Sequence, residues 1–366
     1  MNLPLTFERH GRNHRIWQAT GYGLVVLAAV LIALTQPSYQ MLNFSKVAAY
    51  SVAILGITIV TGYSGQISLG HSAFFGIGAY TTAYLVADQG WPFLATIPIA
   101  ALLGLAIGFL VGLPALRIQG LYLALVTLAI AAVFPVIVKM DALAEITGGS
   151  NGKPVTIDWK KPGWFTLDVS NEAWEFLVVS AIAALTFLVA SNLIRSRVGR
   201  ALMALRDNPI GAVTSGIGLS MWKTGAFAVS AAYGAIAGSL FTMVIPIVSP
   251  DSVGFALAFQ LITGVVLGGL ATITGAVVGG LTMVFLPYYS ADWSSGKSFL
   301  FFDPVDSGLL ANVLYGALLI GAMFVMPGGI VSFVRGIRSR IVRFAPPPPT
   351  TPSTDGATQT TTKGST

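Results

Sequence analysis

Residues Gly62 to Tyr80 read GYSGQISLGHSAFFGIGAY, placing a histidine, a glutamine and three serines among five glycines between two strongly apolar runs. These side chains can donate and accept hydrogen bonds, and imidazole can carry a proton. Hydrolytic chemistry would need more, namely a nucleophile, a base in reach of it and a group to orient the base. Of the three histidines, His10 and His14 lie in a basic N-terminal arm, which leaves His71 alone, and no paired carboxylates lie in the apolar segments. Cysteine is absent, so disulfides and thiolate metal sites are excluded, and no metal centre is expected. A phosphate-cradling loop needs GxxxxGK[ST]. SSGKS at 294–298 has Ala291 where the first glycine belongs, and in NGKP at 151–154 proline replaces the hydroxyl residue. The chain is therefore expected to be no enzyme and to bind no cofactor itself; its polar groups are suited to recognition and gating.

The elements that carry these groups follow from composition. Of 366 residues, 54% are hydrophobic and only 9% charged, with a mean hydropathy of +0.77. Soluble domains carry about 25% charged residues, so the chain reads as an all-α polytopic membrane protein. About 20 apolar residues cross a bilayer core, and on that ruler ten spans are expected: 16–35, 46–63, 67–87, 92–113, 119–139, 174–194, 222–246, 253–271, 272–287 and 308–327. The eighth and ninth nearly touch and read as a tight hairpin or a re-entrant pair. Cytoplasmic loops are enriched in Lys and Arg. With the N-terminus inside, fourteen of the twenty basic residues but only three of the fourteen acids fall on the inner side, leaving it at +11 and the outer side at −5. Both termini are thus expected in the cytoplasm. The basic charge belongs to a membrane face, and nucleic acid is excluded as a partner because no water-exposed module combines basic and stacking aromatic residues.

Three regions are expected: a basic arm (1–15), a transmembrane domain (16–334) and a basic, then disordered Pro/Thr-rich tail (335–366). An outer loop (140–173) and an inner loop (195–222) interrupt the transmembrane domain. Small residues at every fourth position let membrane helices pack closely, as at Gly104, Gly108 and Gly112, at Gly234 and Gly238, at Gly264 and Gly268, and at Gly275 and Gly279. Gly62, Gly65 and Gly70 make an unbroken helix from 46 to 87 improbable. Broken helix at membrane depth survives only where protein or water satisfies the backbone, so a turn or unwound segment is expected, with Ser64, Gln66, Ser68 and His71 facing the bundle interior. Such segments hold the binding or gating groups of transporters; the alternative for His71 is a plain bond to a neighbouring helix. In the inner loop, Asn208 suits an N-cap and Pro209 the first helical turn. A helix over Pro209–Gly216, flanked by Arg200, Arg206 and Asp207 and presenting Gly211, Ala212 and Ser215, has the form of a docking element.

TGYSGQISLGHSAFFGIGAYTTA (61–83) closely resembles the signature of branched-chain amino-acid permeases, the membrane subunits of ABC-type importers. RIQGLYLALVTLA (117–129), ITGGSNG (146–152), SRVGRALMALRDNPIGAVTSGI (196–217) and TGVVLGGLATITGAVVGG (263–280) match the family in order, across about residues 44–330. The resemblance implies a substrate of the leucine, isoleucine or valine class and residence in a bacterial inner membrane. It also implies a second homologous permease, two ATPase subunits that use ATP, and an external binding protein. In such importers the loop corresponding to 195–222 contacts the ATPase, which implies coupling roles for Arg200, Arg206, Asp207, Asn208, Pro209, Ala212 and Gly216. The family's glutamate-alanine-alanine-glycine pattern is only partly present here, as IGAVTSGIG.

A path lined by Ser, Thr, Tyr, Gly and aliphatic residues suits a neutral zwitterion. Tyr122 and Thr127 on the fifth span, with Thr272 and Thr274 between the eighth and ninth, are candidate lining. Two alternatives are an importer of urea or short amides, which shares the signature, and a self-sufficient secondary carrier, which the lack of mid-span Asp or Glu disfavours.

Overall fold

The computed structural model describes residues 5–8, 29–115, 120–157, 161, 170–294 and 328–345, with scattered positions between 313 and 326. Arg117, most of spans 16–35 and 308–327, the middle of the outer loop, Lys297 and the Pro/Thr-rich tail lie outside the described residues. The chain divides into two units. In the smaller one (1–27 with 335–366), β1 (Leu5–Glu8) and a strand at Val342–Ala345 pair in parallel, Leu5 opposite Val342.

The larger unit, 28–334, is built from helices. They are α1 (Ser38–Ile57, continued as a π-helical turn Thr58–Tyr63), α2 (His71–Ala87), α3 (Phe93–Ala115), α4 (Leu121–Val138), α5 (Asn171–Arg195), α6 (Arg197–Asp207), α7 (Pro209–Thr214), α8 (Leu219–Val244), α9 (Phe255–Gly268), α10 (Ile273–Ser294) and α11, which begins at Ile330. Seven helices among the described residues are long and apolar enough to cross a membrane: 38–63, 93–114, 121–138, 171–195, 219–244, 250–268 and 273–292. α2, at 17 residues, is shorter than all of these, the shortest of which has 18. The protein is a polytopic membrane protein. Several boundaries differ from expectation. The second span starts at Ser38 rather than 46, because TQPSYQ supplies only a proline stop before an apolar run resumes. The third starts at His71 rather than 67, because residues 65–70 hold no regular helix. A two-residue antiparallel pair, Lys153–Pro154 with Ile247–Val248, interrupts the all-helical pattern.

α8 is the hub, packed against α1, α2 and α3 and largely buried. Glycine makes this possible, because lipid supplies no hydrophobic drive between helices and close backbone approach must replace it. A Cβ at Gly78 of α2 would collide with the Ala235 carbonyl of α8, and one at Gly238 of α8 with the Phe75 carbonyl of α2. Gly104 and Gly108 of α3 face Ala235 and Ala231 in the same way. The eighth and ninth expected spans form a tight hairpin, α9 and α10, in which Gly268 abuts the Gly275 carbonyl and Gly279 the Gly264 carbonyl. At the opposite ends from α6 and α7, ion pairs fasten the connections: Lys153 with Asp88 at 2.6 Å and Lys139 with Asp251 at 3.0 Å.

Overpacking a fitted seam costs about 1–3 kcal/mol. Gly238→Ala is expected to lose that much in a detergent-titration unfolding assay. Gly225→Ala, on the same helix with nothing within 4 Å of its added Cβ, is expected to be neutral or slightly stabilising.

Candidate functional site

α1 does not end as an ordinary helix. The β-branched run Thr58-Ile59-Val60-Thr61 widens into the π-helical turn, and after Tyr63 the chain is unwound as far as Gly70. Carbonyls at such an end lose their helical partners, and the structure replaces them one by one. Ser64 N donates to the Ile59 carbonyl at 3.2 Å, while Gln66 N and the Ser64 hydroxyl donate to the Val60 carbonyl at 3.0 and 2.8 Å. The Gly62 carbonyl accepts from Arg206 Nη1 at 2.7 Å. Gly65 holds φ +73°, and a Cβ there would lie 2.8 Å from Arg206 Cγ. Glycine is required on both counts.

Ser64, Gln66, Ser68 and His71 are all buried. Gln66 Nε2 donates to the Ser64 hydroxyl at 2.8 Å and to the Lys223 carbonyl of α8 at 3.0 Å. Leu69 N donates to Thr127 Oγ1 at 2.9 Å, and Thr127 in turn donates to the Ala124 carbonyl at 3.0 Å. The Ser230 hydroxyl lies 2.7 Å from His71 Nε2 and donates to the Gly56 carbonyl at 2.6 Å. Since a carbonyl only accepts, Ser230's one proton goes to Gly56, and the imidazole donates from Nε2. His71 therefore fastens α2 to α8 at the point where both cross α1. Ser68 Oγ, Ser72 Oγ and His71 Nδ1 are buried without a protein partner.

Thr272 donates to the Gly269 carbonyl at 2.8 Å within the α9–α10 link. That link comes very close to the break, since a Cβ at Gly62 would lie 2.6 Å from Ala271 N. Ala271 is itself the one non-glycine with positive φ among the described residues, at 59°. The structure thus gathers Ser64, Gln66, Ser68, His71, Thr127 and Thr272 around one unwound segment. Tyr122 and Thr274 are exposed on α4 and α10 and stand apart from it.

The inner loop is more ordered than the sequence implied. Residues 197–207, read there as flanking loop, form the amphipathic helix α6, with Leu202 and Leu205 buried and Arg197 and Arg200 exposed. Arg200 Nη1 donates to the Arg195 carbonyl at 3.3 Å. Arg206 Nε and Nη2 each lie 2.9 Å from Asp207 Oδ1. Asn208 caps α7, its Oδ1 accepting from Gly211 N at 3.0 Å, and Pro209 takes the first turn. α7 stops at Thr214, two residues short of the expected helix, because Gly216 at φ +83° lies beyond its end. Ala212 is buried, while Ile210 and Val213 are exposed. An apolar groove of about 270 Å³ lies between α5, α6, α8 and the π-helical turn, walled by Leu193, Val198, Leu202, Trp222, Val229 and Ile59. Sequence reasoning missed Ser230 and the Lys223 carbonyl. A lone serine in a small-residue helix carries no signal, and a backbone acceptor carries none at all. Among the described residues no cluster of His, Asp or Glu could hold a metal ion.

Residues 41–325 match the family described as branched-chain amino acid transport system / permease component. The chain belongs to that family. It is 34% identical over 273 residues to the high-affinity branched-chain amino acid transport system permease protein LivM of Salmonella typhimurium, covering 68% of this chain and 64% of LivM. LivM of Escherichia coli is 35% identical over 246 residues, covering 61% and 57%. LivH of Escherichia coli is 26% identical over 300 residues, covering 77% of this chain and 91% of LivH. The matches thus span less than two thirds of the LivM relatives. No solved structure matches the chain.

Removing the Thr127 hydroxyl while keeping its shape, by Thr127→Val, strands the Leu69 N–H. The expected loss is about 1–3 kcal/mol in the same unfolding assay, with Thr127→Ser close to the parent. A parent-like Thr127→Val would show that the hydroxyl does not hold the segment.

Proposed function

We propose that this chain is one permease subunit of an ATP-driven importer of branched-chain amino acids in a bacterial inner membrane. It works beside a second, homologous permease, two ATPase subunits and an external binding protein. The observation that carries this is the joining of the family's signature segment, unwound at 64–70, to the α6–α7 elbow through Arg206 and Gly62. A passive conduit driven from outside needs such an element, and a self-powered carrier does not.

The topology supports the reading. The seven long apolar helices and α2 make eight crossings, and the expected spans 16–35 and 308–327 bring the total to ten, with both termini in the cytoplasm. The basic stretch 195–223 then faces the cytoplasm with α7 at its tip. Exposed Ile210 and Val213 are the apolar face that would enter a groove on the ATPase. ATP is bound and hydrolysed there, and this chain supplies neither nucleotide site nor cofactor. The buried, unpartnered groups of Ser68, Ser72 and His71 are the polar part of the path or gate, and uncharged polar groups of this kind suit a neutral zwitterion.

The complete complex in proteoliposomes, supplied with ATP, is expected to take up leucine, isoleucine or valine. Uptake of urea without leucine would reassign the substrate, and ion-driven uptake by the lone chain would remove the importer reading. Ile210→Glu is expected to leave membrane insertion intact and abolish co-purification of the ATPase subunits; unchanged assembly and uptake would place docking elsewhere.

A further inference from the structure

We propose that Arg206 is the positioning residue through which displacement of α7 moves the unwound segment 64–70, an inference that rests on the importer reading above. All three guanidinium nitrogens are engaged. Nε and Nη2 both meet one oxygen of the Asp207 carboxylate at 2.9 Å, and Nη1 meets the Gly62 carbonyl at 2.7 Å. That carbonyl sits where α1 unravels, so Arg206 replaces a lost helical partner with a charge-assisted bond.

The bond does not act alone. Gly65 rests on the Arg206 stem, and Gln66 is held by the Lys223 carbonyl at 3.0 Å. Arg206 lies two residues before the cap of α7 and Lys223 is the fifth residue of α8. The two anchors therefore bracket α7, and the segment between Tyr63 and Gly70 is gripped from both sides of it. Beside this grip the seam between α6 and α8 is the apolar groove containing Val198, Leu202 and Trp222, not a filled core. A shift of α6 along that groove must carry Arg206 and with it the Gly62 carbonyl. Gly62 in turn lies against Ala271 of the α9–α10 link, so the same shift reaches a second break in the bundle.

Lysine cannot replace this arrangement, because a single ammonium does not span Asp207 and Gly62 with fixed geometry. The test uses the complete complex in proteoliposomes with Arg206→Ala and Arg206→Lys, reading ATPase co-purification, ATP hydrolysis and uptake per ATP. It adds a reporter, Ile67→Cys, on an exposed position of the unwound segment in a chain that has no native cysteine. Arg206→Ala is expected to retain the ATPase subunits and hydrolysis while uptake per ATP falls on the order of ten-fold; Arg206→Lys is expected to fall between it and the parent. In the parent background the thiol-labelling rate at Ile67→Cys is expected to differ several-fold between the ATP-bound and ATP-free complex, and Arg206→Ala to abolish the difference. Unchanged uptake per ATP with the labelling contrast retained would overturn the proposal. So would loss of the ATPase subunits from Arg206→Ala, which would make the residue part of the docking surface. If the labelling contrast depends on Arg206 but no branched-chain amino acid is carried, the linkage stands and the substrate assignment fails.

Discussion

Backbone polarity inside a packed helical bundle is the constraint around which this protein is arranged. The seven residues between Tyr63 and His71 leave the regular helix, and a buried backbone group left unpaired costs about 1–3 kcal/mol. The segment persists because neighbours from every side answer it: Arg206 from α6, Lys223 from α8, Thr127 from α4, and its own Ser64 and Gln66. Its partners are therefore as much a part of the site as the segment is. A unit so heavily cross-linked cannot move without moving them.

The same constraint explains where the glycines fall. Gly78, Gly238, Gly104 and Gly108 bring α2 and α3 onto α8 at backbone distance, and the resulting rigid core of α1, α2, α3 and α8 supports the unwound segment from below. Gly62 and Gly65 have a different duty, the first admitting the α9–α10 link and the second the stem of Arg206. His71 belongs to the rigid part. Its Nε2 bond to Ser230, itself tied to Gly56, joins three helices, while Nδ1 is buried without a protein partner.

α6 and α7 show how one loop can be both holder and lever. Ser196 caps α6 and Gly199 lets it turn sharply back onto the Ile194 carbonyl, which folds the amphipathic face of α6 under the ends of α5 and α8. Asn208 then starts a new helix at once, so the chain presents Ile210 and Val213 outward within a few residues of Arg206.

Composition and charge by themselves determined the class of protein and which loops are basic, because burying apolar length in lipid and the distribution of Lys and Arg are properties of the sequence alone. The break near residue 65 was legible for a similar reason: three glycines and a cluster of hydrogen-bonding side chains cannot continue an apolar helix. The cap at Asn208 was legible because capping is local. What the break bonds to was not legible. The Arg206–Gly62 and Gln66–Lys223 contacts join residues 144 and 157 positions apart, and two of their acceptors are carbonyls, which every residue carries and no sequence distinguishes. The outward placement of Tyr122 and Thr274, beside the inward placement of Thr127 and Thr272, likewise depends on how helices rotate against α2 and α9. Only tertiary packing sets that rotation, because an evenly apolar helix in lipid has no strongly preferred face.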